Sequence, residues 1–198
     1  NTTNITNREQ ALKAFEAAKY YGRNVIVEKF ITGYDFRALV VNYKFICAAL
    51  RTPAAVTGDG VNAIQYLINE TNKDPRRGYG HEKVLTQITV DQFTQKMLDD
   101  LGYTLETIPA RGEQVLLKPT ANLSTGGTST DVTDEVHPAN IFMFERIARI
   151  IGLDICGIDI MVKDLRSPIN ETGGAILEVN AAPGFRMHID PSEGLPRN

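Results

Sequence analysis

The sequence predicts an α+β fold: a largely antiparallel sheet with flanking helices. Three observations carry this. The runs "DFRALVVN" (residues 35–42) and "KFICAALR" (44–51) are joined at Asn42-Tyr43, a spacing that suits a tight hairpin. The runs "ICGIDIMV" (155–162) and "GAILEVNA" (174–181) are linked by one polar turn, "KDLRSPINETG". Helical patterns lie around these pairs without strict βαβ alternation, and there is no internal repeat.

The elements read in order as follows. "TNREQALKAFEAAKYYG" (6–22) is a helix with Asn7 as N-cap, Gln10 completing a capping box and Gly22 as stop. Its apolar stripe is Ala11, Leu12, Phe15 and Ala18. "NVIVEKFI" (24–31) is rich in β-branched residues and reads as a strand, turning sharply at Thr32-Gly33. After the first hairpin come two helices, "VNAIQYLINETN" (61–72) and "VDQFTQKMLDDLG" (90–102), and a short strand, Gln114 to Lys118. "PTANLSTGGTSTDVTDEVHP" (119–138) reads as a long Gly/Ser/Thr loop. "HPANIFMFERIARIIG" (137–152) is a helix with Pro138 in its first turn and Gly152 after its last.

Composition bounds the function. The chain has 198 residues, 42% of them hydrophobic, which supports a real core and one domain or two small ones. A formal charge of −3 gives no global field for nucleic acid. Cys47 and Cys156 lie inside apolar runs and read as small buried hydrophobes of a reducing compartment. No apolar run reaches membrane-spanning length and no signal peptide opens the chain, so a soluble cytoplasmic protein is expected. The chain opens "NTTNITNREQ", without Met and close to a helix start, and reads as a piece of something longer.

The chemistry gathers near the end. Side chains at i and i+2 of a strand share a face, so Glu178 and Asn180 point together while Leu177 and Val179 enter the opposite layer. If the last two strands pair, Asp159 lies across from them. Two carboxylates and an amide oxygen make a hard, all-oxygen site suited to Mg²⁺. A solvated outer face is the competing reading, but these polar groups are few and set in apolar strands. Asp35 and Arg37 share a strand face, as nucleotide ligands or as a plain surface ion pair. Lys118 ends a strand just before Pro119. "NLSTGGTST" offers hydroxyls and free backbone amides that could form an anion-binding nest, or else a flexible surface loop. It lacks the Gly-Lys-Ser/Thr ending of a Walker P-loop. Arg76, Arg77 and His81 cluster in a Pro/Gly loop and read as surface. His81, His137 and His188 have no metal-ligand spacing, and His137 flanks a helix start. Arg186, just after the Pro183-Gly184 turn, is a better anion ligand.

Asp159, then Glu178-x-Asn180-Ala181-Ala182-Pro183-Gly184, resembles the metal-binding signature of the ATP-grasp ligases. "VIVEKFITGYDFRALVVN" is similar to their adenine hinge. "VTGDG", "DPRRGYGHE", "NLSTGGTSTDVTDEVHP" and "EVNAAPGFRMHIDPSEGLPRN" narrow the resemblance to the ATP-grasp domain of the cyanophycin synthetase family, over essentially the whole chain. The resemblance implies an ATP-grasp fold, with residues 1–34 as lid-side remainder and adenine hinge and 35–198 as the C-terminal subdomain with the Mg²⁺ site. It implies ATP held by the Glu28 carbonyl and Ile31 amide, with Lys29 and Phe30 bordering the base, Asp35 on the ribose and Lys118, on the central sheet, on phosphate. Asp159, Glu178 and Asn180 would be the metal ligands. Arg37, Asn180 and Gly184 would stabilise charge in the reaction, and Ser124, Thr125, Gly126, Gly127 and Arg186 would hold substrate. The implied activity is ATP-dependent carboxylate–amine ligation through an acyl phosphate, adding aspartate to an aspartate–arginine primer. The implied setting is a cytoplasmic, homo-oligomeric parent enzyme with no nucleic-acid or membrane partner. A Lys-Pro strand and glycine-rich lid stand upstream in such ligases, so this chain alone is expected to be inactive. The alternatives are an ATP-grasp ligase for another amino acid or peptide, and a non-catalytic nucleotide- or peptide-binding module.

Overall fold

The computed structural model describes residue 2, residues 5–80 and residues 82–197; His81 lies outside the described residues. The chain divides into two units, Asn1–Thr32 and Gly33–Asn198. In the first, α1 (Arg8–Lys19) starts at Asn7, whose side chain accepts from the Gln10 amide at 2.9 Å. The Gln10 side chain reaches back to the Thr6 amide, one residue beyond the expected box. Tyr20, still helical, ends the helix in place of Gly22, and the apolar stripe buries no residue.

The run at 24–31 is not a strand. Its β-branched residues have the right propensity, but no neighbouring strand pairs its backbone among the described residues, and Ile26 and Val27 stay exposed. Strand propensity is realised only where a ladder and a buried face are supplied.

The second unit is built on β1 (Tyr34–Val41), β2 (Lys44–Thr52), β7 (Thr128–Asp131), β8 (Ile155–Val162) and β9 (Ala175–Asn180). Their order is β7-β2-β1-β8-β9, every pair antiparallel. The expected first hairpin is present. Asn42 and Tyr43 both take positive φ, 51° and 59°, the backbone of a two-residue turn that follows strand twist. Phe36, Ala38, Val40, Cys156, Ile158, Ile160 and Val162 form one sheet face and bury against Phe144 and Ala148 of α4 (Pro138–Ile151). That helix starts with the His137 side chain accepting from the Ala139 amide and stops at Gly152 in the left-handed region, as its sequence requires.

Between β2 and β7 the chain builds a smaller layer. It holds β3 (Ala55–Thr57), α2 (Ile64–Thr71), β4 (Arg77–Gly78), β5 (Leu85–Thr86), α3 (Gln92–Asp100) and β6 (Gln114–Leu116). Strands β3 and β6 pair with each other over their own core of Val56, Ile64, Ile68, Leu98, Val115 and Leu117. Two short helices, α5 (Ile169–Thr172) and α6 (Arg186–Ile189), flank β9.

The Gly/Ser/Thr stretch is not all loop, because residues 128–131 add the edge strand β7, with Ser129 opposite Arg51 and buried. Alternating threonines suit a strand that is half covered. The run at 174–181 reads as buried but supplies the opposite edge, with no fully buried residue. A register shift beside Asp159 leaves Leu177 unpaired, so it turns 52% of its surface to solvent instead of entering the core.

Candidate active site

The face of the sheet turned away from α4 carries the charges. Strand register lines up Ala49, Arg37, Asp159 and Glu178 across β2, β1, β8 and β9. The expected pairing of Asp159 with Glu178 is therefore present. Asn180 lies two residues on, and its amide donates to Glu178 Oε1 at 3.1 Å.

Asp35, Arg37, Arg51 and Asp159 form one network. Arg37 donates through Nε to Asp159 Oδ1 and through Nη2 to Oδ2, the latter at 2.9 Å. Arg51 donates twice to Asp35 Oδ1, at 2.8 and 2.5 Å, and its Nη2 stands 3.2 Å from Asp159 Oδ2. Arg37, Arg51 and Asp159 are all buried. Burial pushes the Asp35 carboxyl up while Arg51 pulls it down, and burial wins. Asp35 and Arg37 are therefore not a surface pair with each other, and Asp35 is engaged by Arg51. Arg51 is a site residue that sequence reasoning missed.

The turn after β9 folds back over this face. A Cβ on Gly157 would come within 2.8 Å of Pro183 Cβ and 3.0 Å of Arg37 Cδ, so proline, glycine and guanidinium are stacked in contact. Gly184 has open space beside it. His188 of α6 is buried here, and its Nε2 is the one buried side-chain polar atom without a hydrogen-bond partner among the described residues.

The other expected residues lie elsewhere. Lys118 is not on the central sheet. It follows β6 of the small sheet, is buried, and bonds the Thr89 carbonyl and the Asp91 carboxylate, each at 2.8 Å. That contact, foremost, holds the Asp91 carboxyl low, and Asp91 caps α3. The loop at 124–127 is not a nest of free amides. The amides of Thr125 and Gly127 donate to the Asn122 carbonyl and that of Gly126 to Leu123. Gly126 accepts from Arg77, which is buried rather than at the surface; only its contacts, not its Pro/Gly setting, reveal this. A Cβ on Gly127 would meet the Thr52 and Asn122 carbonyl oxygens at 2.7 and 2.8 Å. Gly127→Ala is therefore expected to lower stability by about 1–3 kcal/mol in urea unfolding, since two backbone segments must part. Arg186 donates to the Lys83 carbonyl at 2.6 Å. Among the described residues, the Glu28 carbonyl and the Ile31 amide make no hydrogen bond, and Lys29 and Phe30 are exposed.

Among the described residues no group of three or more His, Cys, Asp and Glu gathers as a metal site. The set is instead two carboxylates and an amide. Glu178 is exposed, and its Oε2 and the Asn180 Oδ1 accept no hydrogen bond among the described residues. An oxygen-only set open to solvent on one side fits Mg²⁺, which keeps waters and phosphate oxygens in its shell.

A sheet of this order, with a charged face under a Pro-Gly turn, is a segment of the ATP-grasp fold. It superposes on the crystal structure of a bifunctional glutathione synthetase from Pasteurella multocida with a TM-score of 0.75 and 35% identity, covering 98% of this chain and 26% of that one. The chain is more similar in sequence to cyanophycin synthetase: 51% identical over 197 residues to that of Trichormus variabilis and 49% over 199 residues to that of Synechocystis sp.. All of this chain is matched, and it spans 22–23% of the length of those two relatives. No protein-family model matches it. No helix among the described residues is long and apolar enough to cross a membrane.

Proposed function

We propose that this segment forms the nucleotide and metal end of a carboxylate–amine ligase that uses ATP to join aspartate to the C-terminal carboxylate of an aspartate–arginine polymer. The observation that supports it is the register match of Asp159 with Glu178, with Asn180 alongside, in a chain half identical to cyanophycin synthetases. Residues 1–34 supply the adenine hinge and 35–198 the rest. The Glu28 carbonyl and Ile31 amide, without a hydrogen bond among the described residues, are available to the base, with Lys29 and Phe30 at its edges and Asp35 toward the ribose.

Asp159, Glu178 and Asn180 hold Mg²⁺. When bound, the ion supplies charge neutralisation at the phosphate oxygens. Arg37, buried and with its side chain fixed, presents a planar guanidinium to the phosphoryl group or the reacting carboxylate. The open backbone at Gly184 leaves room for the substrate carboxylate next to Asn180. That carboxylate takes the terminal phosphoryl group, ADP leaves, and the amine of aspartate then displaces phosphate to form the amide. Arg186 and residues 124–127 hold the primer. Lys118 serves phosphate only by opening its Asp91 contact.

Phosphate release by a full-length enzyme that carries this segment, measured with primer and each amino acid in turn, tests the reading. Stimulation by aspartate alone is the expected result. Stimulation by another amino acid transfers the reading to a different peptide ligase, and no stimulation by any favours a binding module.

A further inference from the structure

Asp159, the central metal ligand of the proposed site, is already occupied by two buried guanidinium groups. Arg37 takes both of its oxygens, and Arg51 Nη2 approaches Oδ2 at 3.2 Å. The two arginines differ in what else they hold. Among the described residues Asp159 is the only hydrogen-bond partner of the Arg37 side chain, whereas Arg51 also makes two bonds to Asp35. Two carboxylates and two guanidinium groups balance each other. A bare dication entering here finds Asp159 already paired with two guanidinium groups in a partly dehydrated site and must displace positive charge from it to bind. A dication carrying a polyphosphate brings anionic oxygens that replace Asp159 at those guanidinium groups.

We propose that Arg51 is a positioning residue that keeps Asp159 closed to a free divalent cation and admits one together with a polyphosphate. The inference rests on Asp159, Glu178 and Asn180 being the metal ligands. Arg51 suits the role because Asp35 anchors it when it lets go of Asp159. It turns on a retained partner and leaves no buried charge unpaired.

The test uses Mn²⁺ as probe, with free Mn²⁺ read by electron paramagnetic resonance, with and without ADP. Arg51→Gln keeps a hydrogen-bond donor for Asp35 and removes the charge. It is expected to bind Mn²⁺ alone about tenfold more tightly than the wild type and to lose most of the gain that ADP confers. Arg51→Lys, which retains charge but reaches only one carboxylate, is expected to tighten Mn²⁺ binding by less, and it decides the matter if the Gln variant does not fold. A purely structural Arg51 would leave Mn²⁺ affinity unchanged or weaker in both, and that result overturns the proposal. Glu178→Gln separates the two readings. If Mn²⁺ does not bind even with ADP, or binds equally well without the Glu178 carboxylate, the metal site itself is wrong. If binding needs Glu178 and neither Arg51 variant tightens it, only the role of Arg51 falls.

Discussion

Asp159→Asn is expected to destabilise the protein by about 3–5 kcal/mol and to abolish Mg²⁺-dependent nucleotide binding, whereas Glu178→Gln should do only the second. The two carboxylates face each other across the β8–β9 register, yet their surroundings differ. Asp159 is 6% exposed and neutralises Arg37 and Arg51, both also buried. Losing its charge leaves those guanidinium groups in a low-dielectric setting with Asp35 as the one paired carboxylate among the described residues. Glu178 is on the edge strand, exposed, and among the described residues its side chain accepts a single hydrogen bond, from the Asn180 amide. Surface changes of that kind move stability by about 0.5 kcal/mol or less. Urea midpoints and Mg²⁺-nucleotide titrations of both variants distinguish the roles. Equal stability losses would mean that Asp159 is not the hub of the charged network, and retained Mg²⁺ dependence in both would remove the metal assignment.

How far the sequence discloses this site depends on register. The pairing of Asp159 with Glu178 is legible only as two carboxylates on neighbouring strands, since counting from Met161 opposite Ala175 places Leu177 across from Asp159, and the slip between Asp159 and Ile160 brings Glu178 there. Arg51 is not legible, for a specific reason. Counting back from Val41 opposite Lys44 places Leu50 across from Asp35. The register slips by one between Leu39 and Val40, leaving Ile46 unpaired and bringing Arg51 opposite Asp35. A one-residue slip reverses the face of every residue beyond it, and nothing in "KFICAALR" announces it. Lys118 shows the same limit from another side. Its strand was legible, but which sheet the strand joins is a long-range choice, made by pairing with Ala55–Thr57. The β7 strand hid because threonine and serine serve equally in loops and on half-covered edges. The run at 24–31 misled in the other direction, since propensity without a partner edge does not make a strand. What local chemistry decides, the Asn42-Tyr43 turn and the His137 and Gly152 caps, is as the sequence says.

The second large effect concerns acid. His188 is 3% exposed and beside a 190 Å³ cavity lined by Leu39, Val41, Phe185, Ile189 and Arg197. Burial, foremost, pushes its pKa down to about 4; Arg37 and Arg51 oppose a further positive charge, and Asp131 acts the other way. An unfolded histidine titrates near 6.5. Between about 6.5 and 4 the unfolded chain takes up a proton that the folded chain refuses, so the stability present above pH 6.5 is lost as pH falls through that window. The wild type should lose about 2 kcal/mol from this group between pH 7.5 and pH 5. His188→Leu should lack that loss. At pH 7.5 it should be no less stable than the wild type, because leucine suits the apolar lining and removes a buried nitrogen that has no partner. Asp35 titrates in both proteins, so the difference between their pH profiles isolates His188. Identical losses on acidification would mean that the folded imidazole takes up its proton over the same range as the unfolded one, which burial and two neighbouring guanidinium groups make costly.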